Sequence, residues 1–304
     1  MRDLIIIGAG PAGLAAALYA TLKRLDCLVI SRDLGGKSNY SVHIPDSDGP
    51  AAIRADELVT IYKSRLQYLR HSHRIAGVKR LTASGGTFSC TVDDGSTEEA
   101  RAVIVATGTH LRRLGVPGEK QLLSRGLGYS SISYSHLFTG KRVFLAGDSD
   151  RVLDSTLELS IHADAVTTAL LAGGRFTADL VARARDLDRV TIVEEATVRE
   201  FRGDDFAREV VLASEAGDQT IAADGFFVEL DPQPNTGFIG DGISLAGNGS
   251  LRVDGTNSTD VPGLFAAGDV TGNEYAQTLV SLGDGAKAAL SAYRYLIETG
   301  RTKE

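Results

Sequence analysis

The chain has 304 residues, 43% hydrophobic and 23% charged, which excludes a disordered chain and suits two domains with their own cores. A net charge of −7 disfavours a nucleic-acid binder, and 34 glycines with no Gly-X-Y period predict tight turns near ligands rather than collagen. The two cysteines, Cys27 and Cys90, form neither a CxxC nor a metal spacing and suit a reducing, cytoplasmic setting. Met1 stands beside the first expected strand, so no signal peptide is expected, and the apolar runs are too short to span a membrane. Residues 4–7 read as a buried parallel strand, 14–22 as an alanine-rich helix and 27–30 as a second strand, together one βαβ unit. Leu58, Ile61, Leu66 and Leu69 have helical spacing over 54–70. Short strands follow over 75–105, around Gly85-Gly86 and Asp94-Gly95. A second βαβ unit begins near Lys141: strand 143–146, a turn at Gly147, helix 153–161 and strand 165–171. Strands are expected at 190–193, 209–212 and 226–230, a crossing back at Pro232-Gln-Pro234, a last strand at 264–267 and a closing helix through Leu296. The pattern predicts an α/β protein of two Rossmann-like, three-layer domains, the second inserted in the first: 1–113 plus 234–304, and 114–233.

Gly8-Ala9-Gly10-Pro11-Ala12-Gly13 is a GxGxxG between a buried strand and a helix. Gly8 serves the tight turn, Gly10 the approach of backbone to a pyrophosphate, and Gly13 close helix–strand packing. The helix N-terminus offers free N–H groups and partial positive charge, so a dinucleotide site is expected. The acid that ordinarily ends the second strand and binds ribose hydroxyls is replaced by Ser31, with Asp33 two residues on.

Charge is uneven. Residues 54–80 carry Arg54, Lys63, Arg65, Arg70, Arg74, Lys79 and Arg80 against Asp56 and Glu57; residues 101–151 carry eight Lys/Arg against Glu119, Asp148 and Asp150. These segments are read either as solvated faces or as a docking patch for an acidic partner.

Several pieces in order resemble the low-molecular-weight thioredoxin reductases: the GxGxxG, Gly35-Gly36, Ala106-Thr107-Gly108, Leu114-Gly-Val-Pro-Gly-Glu119, Pro234-Asn-Thr236, Gly263-Leu-Phe-Ala-Ala-Gly-Asp-Val270 and the tail from Gln277. The resemblance covers nearly the whole chain. It implies FAD in the first domain, held by Gly8, Gly10, Pro11, Ala12, Gly13, Ser31, Gly35, Gly36, Lys37, Thr107, Gly108, Gly268, Asp269, Ala276 and Gln277. It also implies a homodimer and a thioredoxin-like acceptor. A helix starting at Gln277 beside the flavin ring would favour the charge of a reduced flavin.

Two parts of that family pattern differ here. Its redox CxxC followed by an acid reads Ser130-Ser131-Ile132-Ser133-Tyr134, so the catalytic positions are Ser130, Ser133 and Tyr134. Serine forms no disulfide and no thiolate. Its second glycine turn reads Gly147-Asp148-Ser149-Asp150-Arg151-Val152, and the basic cluster for a 2′-phosphate is reduced to Arg175. NADPH binding is therefore not expected, although another nucleotide or a second flavin could fit. Cys27 and Cys90 read as buried packing residues, and His136 is the histidine nearest the serines. No metal-ligand or Ser/His/Asp spacing emerges. The leading expectation is an FAD-dependent oxidoreductase that takes electrons from a protein donor such as ferredoxin. One alternative is a disulfide (thioredoxin) reductase whose cysteines have been replaced by serine. Another is a non-catalytic, regulatory flavin-binding protein. A ferredoxin–NADP reductase of the same fold fails on the altered second turn.

Overall fold

The computed structural model describes residues 1–40, 42–43, 55–67, 73–214 and 217–300. The chain divides into two units, Met1–Asn39, Ala52–His110 and Gln233–Glu304 in one, Tyr40–Ala51 and Leu111–Pro232 in the other. The first unit opens with β1 (Arg2–Ile7), α1 (Pro11–Leu22), β2 (Cys27–Ser31), α2 (Ala55–Gln67), β3 (His73–Ile75), β4 (Val78–Ser84), β5 (Thr87–Val92), β6 (Thr97–Val105) and β7 (Thr109–His110). The second holds α3 (Glu119–Leu122), β8 (Leu127–Gly128), β9 (Arg142–Ser149), α4 (Asp150–Leu159), β10 (Ala165–Arg175), α5 (Ala178–Arg185), β11 (Val190–Gly203), β12 (Ala207–Ser214), β13 (Gly217–Ala222) and β14 (Gly225–Glu229). β15 (Gln233–Pro234), β16 (Leu264–Ala266) and α6 (Thr278–Glu298) complete the first unit.

β1 is buried from Leu4 to Ile7 on both faces, which is why that run is continuously apolar rather than alternating. It runs parallel to β2 and to the C-terminal half of β6, with Ile6 opposite Val29 and Ile104. β3 and β16 extend the parallel sheet on either side. The N-terminal half of β6 instead pairs antiparallel with β5, so one long strand belongs to both the parallel sheet and the β4–β5 hairpin. α1 has alanines on the face that meets α6; a Cβ on Gly285 would lie 2.0 Å from the Ala12 carbonyl oxygen, so the two helices touch through backbone.

In the second unit β11, β10, β9, β14 and β8 form a parallel sheet that β12 and β13 extend antiparallel. Its core includes Phe144, Phe201 and Phe226, with ring centroids 6.0 Å apart in both pairs that Phe226 makes.

Four sequence expectations are corrected. Gly147 is not a turn: it lies in β9, paired with Leu170 and Glu229. The helix that follows starts at Asp150 rather than Leu153, so strand passes to helix with no loop. The second strand of that unit runs to Arg175, and α5 and β13 are elements that the sequence reading does not place. Ile61 is exposed and the inward residues of α2 are Val59 and Tyr62; the side chains of Leu58 and Leu66, and all of Leu69, lie outside the described residues. No helix of the described residues is long and apolar enough to cross a membrane.

Phe226 is fully buried between two aromatic neighbours. Phe226→Ala should cost about 3–5 kcal/mol in the second unit. Hydrogen exchange of β9 and β14 amides in urea measures this; unchanged protection there would contradict the packing account.

Candidate functional site

In the first unit the C-terminal ends of β1, β2, β6 and β16 point the same way, and the loops leaving them converge where α1 begins. The glycines of the first turn divide the work. Gly8 has φ +103°, and a Cβ there would meet the Ala106 carbonyl oxygen at 2.4 Å; one on Gly13 would meet the Gly8 carbonyl oxygen at 1.9 Å. Both are required by packing. Gly10 differs: a Cβ there would meet nothing within 4 Å, so its backbone faces open space. Gly10 is also the N-cap of α1, no side chain caps that end, and Pro11 occupies the first helical position. Uncapped N–H groups at an open glycine form a cradle for a phosphate anion.

The other expected residues surround it. Ser31 Oγ accepts a hydrogen bond from the Ala9 N–H at 3.1 Å, leaving its own proton free to donate. Gly35 N–H donates to the Ala9 carbonyl at 2.7 Å, and Gly36 N–H to Asp33 Oδ1 at 3.0 Å. A Cβ on Gly36 would lie 3.2 Å from Gly10 Cα, so this turn lies against the first. Lys37 reaches across to Thr109 Oγ1 at 2.9 Å and forms an ion pair with Asp269. Asp269 also accepts a hydrogen bond from Ser281 Oγ at 3.3 Å. Thr107 Oγ1 donates to the Asn235 carbonyl at 2.8 Å, while Asn235 donates back to the Thr107 carbonyl and meets His110 Nδ1 at 3.1 Å. Gly108 accepts from the Asn235 N–H at 3.0 Å. Gly268 abuts Ala12, with 3.0 Å between an added Cβ and the Ala12 Cβ. Ala276 leads into Gln277, the N-cap of α6. The residues present fit a flavin dinucleotide: an open glycine, an uncapped helix end and polar side chains on the converging loops.

The second unit repeats this strand–helix junction with different chemistry. Arg112 pairs with Asp148 at 2.7 Å. Ser149 Oγ donates to Asp231 at 2.7 Å. Asp150 accepts the Thr177 N–H at 2.7 Å and the Thr177 hydroxyl at 2.6 Å. Arg151 Nε donates to Glu229 at 2.9 Å. The start of α4 is thus ringed by carboxylates, each engaged by a donor of this chain through at least one oxygen, while Asp148 Oδ1 is buried without a hydrogen-bond partner among the described residues.

Glu229 is wholly buried at the end of β14. Its other oxygen accepts from the Ser131 N–H at 2.6 Å and the Ser131 hydroxyl at 2.8 Å. Ser131 caps the 3₁₀ helix Ile132–Phe138, so Glu229 joins the serine segment to α4. Ser130 Oγ and Ser133 Oγ lie 3.2 Å apart. Tyr134 stacks near Phe227, and its hydroxyl accepts the Val42 N–H at 3.2 Å. His136 is exposed. Upstream, the buried Glu119 accepts from the Leu114 and Gly115 N–H groups and from the Tyr129 hydroxyl. Burial, and then the charge of Glu119, push the Tyr129 phenol well above its ordinary range.

The family model described as pyridine nucleotide-disulphide oxidoreductase matches residues 2–285. The chain belongs to that family. Its members are FAD-binding oxidoreductases. Among solved structures, the thioredoxin reductase of Streptococcus pyogenes MGAS5005 shares 30% identity and a TM-score of 0.88, covering 98% of this chain and 99% of that one. The thioredoxin reductase of Giardia duodenalis shares 26% identity and a TM-score of 0.87, over 97% and 99%. A curated relative, the F component of the alkyl hydroperoxide reductase of Pseudomonas aeruginosa, is 30% identical over 310 residues, 98% of this chain. This chain spans only 58% of the length of that relative. The expected thioredoxin-reductase-like fold of two Rossmann-like sheets is therefore borne out.

Glu229, Asp231, Arg112, Thr109 and Thr177 escape a reading of the sequence. Glu229 has a legible signal, an acid inside the apolar run Phe226-Phe227-Val228. Asp231 and Arg112 have none. The basic segments are less basic than their counts: Arg74, Arg80, Arg101, Arg112, Arg142 and Arg151 pair with acids of this chain, and Arg54, Arg70 and the Arg65 side chain lie outside the described residues. Burial pushes the Cys27 and Cys90 thiols up to about 12. Neither forms appreciable thiolate at pH 8, so iodoacetamide should label neither in the native protein and both in guanidinium. Rapid native labelling of either would contradict their burial.

Proposed function

We propose that this chain is an FAD-dependent oxidoreductase whose electrons come from a redox protein rather than from NADPH. The backbone of Gly10 and the start of α1 would hold the pyrophosphate, with Ser31, Asp269 and Gln277 toward the sugar and ring portions. Bound there, FAD supplies one- and two-electron transfer. The chain's own part is to bind that group, orient it and keep water from it. The observation that carries the donor assignment is the start of α4. A nicotinamide dinucleotide would bring its pyrophosphate to an end ringed by Asp148, Asp150 and Asp231, with a serine side chain where backbone should be open. The nearby cations Arg112 and Arg151 are committed to Asp148 and Glu229. Losing two charge-assisted hydrogen bonds of about 1.5–3 kcal/mol each weakens binding by roughly two to four powers of ten. A second flavin nucleotide would meet the same acids.

An acidic donor of the ferredoxin type suits the cationic segments, although their internal ion pairs make the attractive field smaller than the sequence count suggests. Anaerobic mixing with NADPH, NADH and reduced ferredoxin, followed by flavin absorbance, tests the assignment. Bleaching by ferredoxin alone is expected. Fast, stoichiometric bleaching by either nicotinamide would overturn it.

The 3.2 Å between Ser130 Oγ and Ser133 Oγ favours a second reading, in which serines stand at the positions of a dithiol pair. Ser130→Cys with Ser133→Cys should oxidise to an intramolecular disulfide, because the hydroxyls already meet at contact distance. Thiol titration before and after oxidation checks this, and two persistent thiols would exclude the reading.

A further inference from the structure

The cradle of the first unit has to accept a pyrophosphate, yet it contains a carboxylate. Asp269 is only 12% exposed and lies on the loop after β16, one of the loops that converge there. A buried negative charge near a bound anion raises the energy of the complex, and it does so more strongly as water is excluded. Among the described residues, the cation paired with Asp269 is Lys37. Its backbone follows Gly36, whose turn lies against Gly10, so its position is tied to the glycine loop itself. The hydrogen bond from its ammonium to Thr109 Oγ1 gives it a second anchor. Lys37 thereby links the loops that leave β2, β6 and β16.

We infer that Lys37 is a positioning residue for FAD: it neutralises and orients Asp269 so that this carboxylate can face a dinucleotide, and it acts through Asp269 rather than as a direct phosphate ligand. This rests on FAD occupying the first cradle. The ammonium has three donors; with one on Thr109 and one on Asp269, it is held away from the role of a free phosphate clamp. Without it, Asp269 would keep only the Ser281 hydroxyl of these two partners and would face the ligand's phosphates with no cation beside it.

FAD affinity of the apo-protein, by fluorescence titration, separates the two roles through a double-mutant cycle. Lys37→Met should weaken FAD binding by roughly tenfold to a hundredfold, the cost of leaving a partly buried carboxylate unpaired. Lys37→Gln should do the same although it keeps a hydrogen bond to Thr109; it serves if Lys37→Met fails to fold. Lys37→Arg should retain FAD. Asp269→Asn should weaken binding in the wild-type background and restore much of the loss in the Lys37→Met background. Additive losses in the cycle, or unchanged affinity in Lys37→Met and Lys37→Gln, would overturn the inference while leaving FAD binding intact. Wild-type protein with no affinity for FAD would overturn both the inference and the assignment beneath it.

Discussion

A carboxylate removed from water must be matched by donors on every side, or it protonates or unfolds its surroundings. Glu229 meets that demand in the second unit with one guanidinium, one backbone N–H and one hydroxyl. Satisfying it ties together three separate stretches: the end of β14, the cap of the serine-bearing 3₁₀ helix and the first turn of α4. The geometry of both altered parts of the family pattern, the serine pair and the strand–helix junction, therefore depends on one buried charge. Removing Arg151 or Ser131 alone would leave that charge partly unmatched, which costs more than the same bonds contribute when all are present.

The two strand–helix junctions offer a controlled comparison. Both place a helix N-terminus at the end of a parallel strand, where partial positive charge and free N–H groups attract anions. At α1 the cap is a glycine whose backbone faces open space. At α4 the cap is Ser149, its side chain is engaged with Asp231, and Asp150 occupies the first turn. The helix start that external phosphate would seek is thus stabilised by the chain's own acids. Fold alone does not decide which of these a junction does; the side chains within one turn of it do.

The parts legible in sequence are those where backbone geometry restricts the residue type. Gly8 and Gly13 can be read because any side chain there strikes a carbonyl, and the run from Leu4 to Ile7 because both faces of its strand are buried. α5 and β13 are illegible because they are short and lie on the surface: Ala178–Arg185 buries only Ala184, with Leu180 and Val181 half-buried, and Gly217–Ala222 is an edge strand. Local periodicity carries little signal when few positions are buried. The Lys37–Asp269 and Ser149–Asp231 contacts join residues distant in sequence, and only the folded chain brings them into register. Ile61 reads as an inward residue because a helix that packs through Val59 and Tyr62 still spaces its other apolar residues by the same period.

The short pairing of β7 with β15 has an architectural consequence. Thr109 lies opposite Pro234 and His110 opposite Gln233, so residues 111–232 leave and re-enter the first unit through two adjacent strands. Asn235 stitches the two together through Thr107 and His110. A chain whose exit and return are pinned side by side makes the first unit nearly indifferent to the length of what it hosts, because loop-closure entropy grows only logarithmically. Such a gateway lets residues 111–232 vary in length and composition while the strands that flank them stay paired.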